Sequence, residues 1–181
     1  MKSDPKSFTI LFRDWIFTPE ELWNINPRQL IRRFLRILQR ADVYRKRGYI
    51  FVGLHGEFNR NTGCFHLHLH GIADGEMVNV VRGLKKLPRF RFDRKRDLRS
   101  PIRVTRLRMT NLPYPLLYTV QDWWPGRFIL VRNGKPVRSR RQRIPEPYHT
   151  LLLLWLDRWS LADMILMVGI RAGKHGFAKR A

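Results

Sequence analysis

The stretch CFHLHLHGIADG, residues 64–75, places His66, His68 and His70 at alternate positions of one short apolar run. Alternation with period two marks a strand, because successive side chains of an extended chain point to opposite faces. The three imidazoles share one face, and Phe65, Leu67, Leu69 and Gly71 occupy the other. Residues two apart in a strand are separated by about 7 Å, so two long side chains can converge on one ion. Residues four apart are separated by about 13 Å, too far for all three to serve one ion. The spacing points to one metal held by an adjacent histidine pair, with the third histidine nearby and a further ligand from another strand. Cys64 has the parity of the histidines but stands at the start of the run, so a closed zinc site built on it is disfavoured.

The flanking sequence supplies that other strand. GYIFVGLHGEFN and CFHLHLHGIA bracket RNTG, a hairpin turn signal. In the first of these, Tyr49, Phe51, Gly53, His55 and Glu57 share a face, so register decides whether His55 and Glu57 come to lie beside the histidine row. Upstream, SFTILFR reads as a first strand. Thr18, Pro19 and Glu21 then form a capping box for a short helix, and Asn26-Pro27 restarts it. Leu30, Ile31, Phe34, Leu35 and Leu38 make one apolar stripe, with Arg32, Arg33, Arg36 and Arg40 mostly off it, as a solvated basic face or a nucleic-acid contact. Downstream, Met77, Val80, Val81 and Leu84 have helical spacing, PIRVTRLR reads as a strand, and LPYPLLYTVQDWW as a helix opened by proline. RFILVRNGKPVRS reads as a hairpin around Asn133-Gly134, and helices from Tyr148 onward close the core. The expected class is α+β: a central antiparallel sheet carrying the His-x-His-x-His strand, flanked by helices. Residues 1–147 form the site-bearing domain, and 148–181 a helical extension packed on it.

Charge narrows the partner. The chain has 36 Lys plus Arg against 14 Asp plus Glu in 181 residues, a formal net charge of +22. Such an excess attracts a polyanion, nucleic acid first and an anionic membrane surface second. Between Arg82 and Arg108 there are twelve Lys or Arg and only two Asp, interleaved with Phe90 and Phe92. Lys85, Lys86, Arg94, Lys95 and Arg96 are candidate phosphate contacts there, with a solvated loop as the plainer alternative. The apolar segment TLLLLWLDRWSLADMILMVGI carries Asp157, Arg158 and Asp163 near its centre, a costly arrangement in a bilayer. It reads as buried helix with a break near Ser160. One cysteine and no signal-like N-terminus fit a cytoplasmic protein without a membrane anchor.

These motifs together resemble the HUH endonucleases, the His-hydrophobic-His family of single-strand nickases and rolling-circle replication initiators. FHLHLHGI resembles the family's histidine motif in its His-x-His-x-His form. GLHGEFN ahead of the turn resembles its acidic residue, which implies Glu57 as third ligand beside His68 and His70, with His66 supporting or alternative. LLYTVQDWW is similar to the Tyr-x-x-Lys-Asp motif, with Tyr118 at the nucleophile position, Asp122 retained and Gln121 where the family has lysine. Tyr114, one helical turn earlier, is a second candidate. The resemblance covers roughly residues 8–122 and implies a Mg2+- or Mn2+-assisted attack by tyrosine on a phosphodiester. The products would be a 5′-phosphotyrosine and a free 3′-hydroxyl. It implies single-stranded DNA or an origin hairpin as partner. A separate helicase and polymerase would be needed, because the sequence has no nucleotide-binding loop. A replication initiator of a plasmid, phage or integrated element is the leading expectation. A single-tyrosine transposase and a non-catalytic DNA-binding relative are the alternatives.

Overall fold

The computed structural model describes residues 4–93, 99–106, 109, 119–120, 123–132, 135–174 and 176–179. Its centre is the hairpin of β2 (Gly48–Asn59) and β3 (Cys64–Gly75), two twelve-residue antiparallel strands paired along their whole length. The turn between them uses Gly63 at φ +68°, a left-handed conformation that glycine adopts without penalty. Alternation then sorts the side chains. Leu54, Phe58, Phe65, Leu67 and Leu69 face the core and are nearly inaccessible. His55, Glu57 and the three histidines of β3 face the other way.

On the far side of β3 lies β1 (Lys6–Phe17), antiparallel to it, and beyond that the short β4 (Ile102–Val104). β1 is not regular. Leu11 pairs with His68 and Ile16 with His66, so β1 advances five residues while β3 advances two, leaving three extra residues in β1. This wide bulge flips the parity of β1. Before it Phe8, Ile10 and Phe12 point to the core; after it Trp15 does, stacked on Phe12 at 3.8 Å between ring centroids, and Ile16 turns outward.

The core face is covered by helices. Thr18 caps α1 (Pro19–Asn24) with the complete capping box, and Asn26 caps α2 (Pro27–Arg40), with Pro27 at its first position. α2 buries Leu30, Ile31, Phe34, Ile37 and Leu38. Arg32, Arg36 and Arg40 are exposed on this helical layer, and Arg33 pairs with Asp14. α3 (Met77–Gly83) adds Met77, Val80 and Val81 to the same core, followed by 3-10 turns that leave Lys85 and Lys86 exposed.

The other edge of β2 is shared. β5 (Gly126–Arg127) runs parallel to it at Phe58 and Asn59, while a strand from the C-terminal segment pairs with Ile50–Gly53. The expected hairpin after Arg127 is present as β6 (Ile129–Arg132) and β7 (Lys135–Arg138), paired antiparallel. α4 (Tyr148–Asp157) buries Leu152 and Trp155. Trp155 packs near Trp124, and its indole Nε1–H donates to the Ile25 carbonyl at 3.1 Å.

The C-terminal segment departs from the helical expectation. The break near Ser160 is real, but only one turn follows it, α5 (Leu161–Met164), opened by Ser160 and Asp163 in a capping box. The chain then extends into β8 (Ile165–Val168), which joins the central sheet, and the hairpin β9 (Ile170–Gly173) and β10 (Gly176–Lys179). Gly169 makes the corner at φ +74°, and a Cβ there would sit 2.2 Å from the Gly48 carbonyl oxygen. The sheet order is β4-β1-β3-β2-β5 with β8 also on β2, all antiparallel apart from β5. The α+β class with a helix-flanked sheet is therefore observed. Among the described residues no helix is long and apolar enough to cross a membrane.

Candidate active site

Register settles which groups meet on the outer face. His55 is directly opposite His68, Glu57 opposite His66, and Gly53 opposite His70. Thr9 of β1 flanks His70 from the other side. The closest pair is His68 and His70, whose Nε2 atoms lie 3.0 Å apart. His55 packs against both, with ring centroids 4.9 Å from His70 and 6.1 Å from His68.

The hydrogen bonds assign the ring protons. His68 Nδ1–H donates to the His66 carbonyl at 3.2 Å, so its Nε2 carries a lone pair. His70 Nδ1 is 3.0 Å from the Thr9 hydroxyl, which can donate or accept. In one arrangement Thr9 donates to Nδ1 and His70 Nε2–H donates to His68. In the other, His70 Nδ1–H donates to Thr9, and both Nε2 lone pairs face the same point. Only the second suits a cation, and two nitrogens at adjacent positions on one ion about 2.0–2.1 Å away would be roughly 3 Å apart. The donor set therefore fits a divalent ion, although among the described residues no three His, Cys, Asp or Glu side chains are gathered as a finished metal centre.

Burial keeps this pair neutral. It pulls the His68 pKa down to about 4, with Arg138 and His66 adding to the effect and the bond to the His66 carbonyl opposing it. It pulls His70 to about 2, reinforced by His68, His55, Arg141 and Arg103. Neutral imidazole is the ligand form.

Glu57 is engaged differently from the expectation that made it a third ligand beside His68 and His70. Arg138 grips its carboxylate with two nitrogens, at 3.0 and 3.1 Å, and Arg127 Nε stands 3.5 Å away as an ion pair without a hydrogen bond. The carboxylate sits one register pair further along the hairpin, beside His66. His66 Nε2 is buried with no hydrogen-bond partner among the described residues. Around the histidines the walls are basic: a cavity of about 230 Å³ is lined by His55, His68 and His70 together with Arg99, Arg103, Arg127, Arg138 and Arg141. Trp123 stands at its rim, 39% exposed.

Tyr118 and Gln121, with Tyr114 and Asp122, lie outside the described residues, as do Arg94, Lys95 and Arg96. Thr119 is described and buried, and its carbonyl lies over Gly53, where a Cβ would come within 2.0 Å of it. Lys85 and Lys86 belong to the helical layer rather than to the histidine face. Two features escaped the sequence reading. His55 was grouped with Glu57 on one face of β2, but whether that face meets the histidine row, and its pairing with His68, depends on register. The arginines of the outer wall come from three separate segments, and of these only Arg99 and Arg103 fall in the basic run from Arg82 to Arg108 that the sequence singles out. No family model matches the chain, and no match emerges among curated proteins or solved structures.

Proposed function

We propose that this chain nicks and rejoins single-stranded DNA, with Tyr118 as nucleophile and the histidine face as the phosphate site. One observation supports this most: paired neutral imidazoles and five arginines line one cavity. A site that only bound polyanions would gain nothing from buried uncharged histidines. A site that only held a cation would be weakened by five guanidinium groups. A phosphodiester and a divalent ion together satisfy both halves.

His68 and His70 would hold the ion through Nε2, with His55 able to supply a third nitrogen and Glu57 or His66 in reserve along the hairpin. Imidazole donors favour Mn2+ over Mg2+ in such a set. When bound, the ion supplies Lewis-acid charge to the phosphate oxygens. Arg99, Arg103 and Arg141 grip the same phosphate and its neighbour by paired N–H donors. Thr9 holds the His70 ring in the tautomer that presents Nε2. The Tyr118 hydroxyl oxygen attacks phosphorus and gives up its proton, the bond to O3′ breaks, and the departing 3′-oxygen takes a proton, so that one proton passes, net, from phenol to 3′-hydroxyl. The phosphate remains ester-linked to the tyrosine, so the strand can be rejoined by the reverse attack. Thr119, packed on Gly53 beside the His70 row, supports a tyrosine acting there. Gln121 at the motif's lysine position favours, as the second reading, a DNA-binding relative without chemistry.

The test is incubation with single-stranded DNA and Mn2+, followed by a denaturing gel. A covalent adduct is expected from the wild type, none from Tyr118→Phe, and none from the His68→Ala/His70→Ala double variant, which should retain most DNA affinity. An adduct that persists in Tyr118→Phe but not in Tyr114→Phe moves the nucleophile. DNA binding without any adduct leaves the non-catalytic reading.

A further inference from the structure

Beside the arginine-lined cavity is a second one of about 370 Å³, and its origin is the bulge of β1. Three extra residues push β1 away from β3 between Leu11 and Ile16, and the gap is walled by Leu11, Phe12, Ile16, Leu67, Pro101 and Ile129. The two cavities share a wall made by Leu11, Glu57, His68, Arg99, Arg127 and Arg138. Their chemistry differs. One is cationic and polar; the other joins an apolar patch to Arg13, Arg99, Asn59 and the buried His66 Nε2, which lacks a protein partner among the described residues.

The apolar wall is held rather than loose. Asn61 at the hairpin turn accepts from the Ile129 N–H at 2.6 Å and donates to the Ile129 carbonyl at 3.3 Å, which fixes Ile129 over the opening. On the opposite side Arg13, within the bulge, donates to the Arg91 carbonyl at 2.6 Å. A regular β1 would close this space, so the bulge and its two ties maintain a cavity next to a phosphate site.

We propose that the bulge cavity receives one nucleobase of the bound strand, that of a nucleotide adjacent to the phosphate over the histidines. The inference rests on the nicking reading and specifies how that site selects its strand. A sugar-phosphate backbone places base and phosphate at neighbouring positions, as the shared wall places the two cavities. The apolar residues supply faces for the base ring, and His66 Nε2 reads one polar atom on its edge, the division of labour used wherever an unstacked base is taken into a pocket. Specificity at this one position then comes from a pocket, while the arginines grip any sequence.

The experiment compares trinucleotides of equal charge, one with a central base and one abasic at that position, titrated in EDTA and followed by NMR. Equal charge cancels the phosphate contribution. The base should improve affinity about tenfold, the scale of one stacked base, and should shift the Ile16 methyl and His66 ring signals. Ile16→Trp, at a position 45% exposed, fills the mouth and should abolish the difference between the two ligands. Ile129→Trp fills it from the other wall and serves if the first variant is unstable. Equal affinities in the wild type, or a base preference that survives both fillings, overturn the base pocket while leaving phosphate binding intact. If neither trinucleotide nor a 20-residue single strand binds, the nucleic-acid reading fails and this inference with it.

Discussion

Lowering the pH from 7 to 5 in EDTA should destabilise this protein through the buried histidine pair. Both pKa values are depressed by folding, so across this window the unfolded chain binds protons that the folded chain refuses. Stability is present above the unfolded value of 6.5 and is lost as pH falls toward the folded values, about 4 for His68 and about 2 for His70. For His68, the difference between pH 7 and pH 5 is about 2 kcal/mol. His70, still neutral in the folded state at pH 5, contributes a similar loss, so the pair together costs about 4 kcal/mol. That is a large share of a typical domain stability of about 5–15 kcal/mol. Urea unfolding read by tryptophan fluorescence should show the midpoint falling by about 2 M, taking m near 2 kcal/mol/M. The control is His68→Gln/His70→Gln, which removes both titrating rings. Its midpoint should be nearly flat over the same range apart from a residue from His66, which burial also lowers. A wild-type loss below about 1 kcal/mol, or an equal loss in the double variant, would refute the assignment of two neutral rings.

Four further outcomes follow from the same geometry. The arginine wall opposes a cation arriving alone, so Mn2+ should bind at least fivefold more tightly with single-stranded DNA present, and DNA more tightly with Mn2+; calorimetry that finds no mutual effect contradicts the shared cavity. Replacing Arg103 and Arg141 together by Gln should reduce the magnitude of the salt slope of single-strand binding by about 1.4, at about 0.7 per phosphate contact. Lys85→Gln/Lys86→Gln, on the helical layer, should change that slope less, and the reverse order would place the strand elsewhere. Gly53→Ala, whose Cβ would meet the Thr119 carbonyl at 2.0 Å, should cost about 2 kcal/mol, a fall of roughly 4–8 °C in Tm by calorimetry. Gln121→Lys restores the family's cation and should raise the rate of adduct formation on a gel time course, whereas no change means that the lysine is dispensable here.

The sequence carried those parts of the site that depend on local rules. Parity grouped His55 with Glu57 on one face of β2 and the three histidines on one face of β3, and RNTG placed the turn, but the register that joins the two rows came only with the fold. Thr18 with Glu21 and Asn26 with Pro27 announced both helix starts. What was hidden depends on long-range fit. The bulge in β1 is invisible in the sequence, where only SFTILFR reads as a strand and the continuation to Phe17 does not, because the slip is defined only by pairing with β3. The run Ile165–Val168 is apolar at every position, and such a run suits a buried strand as well as a helix; the vacant edge of β2 decides between them. The arginine wall gathers residues 99, 103, 127, 138 and 141, and no spacing rule joins them.

β8 has a bearing on how the chain is made. Ile50–Gly53 is a central, apolar stretch of backbone, and the strand that covers its edge is synthesised well after β1, β2 and β3. Until then a finished β1–β2–β3 core presents unpaired amides and carbonyls along that edge, a template for any other extended segment nearby. The latch that brings β8 home is polar: Asp163, just before it, is gripped by Arg28 at the start of α2 and by the Ser160 hydroxyl. A nascent chain stalled before residue 160, or one carrying Asp163→Ala, should therefore be prone to sheet-edge aggregation even with its histidine face intact. β8 thus guards an edge that the earlier strands leave open until it docks.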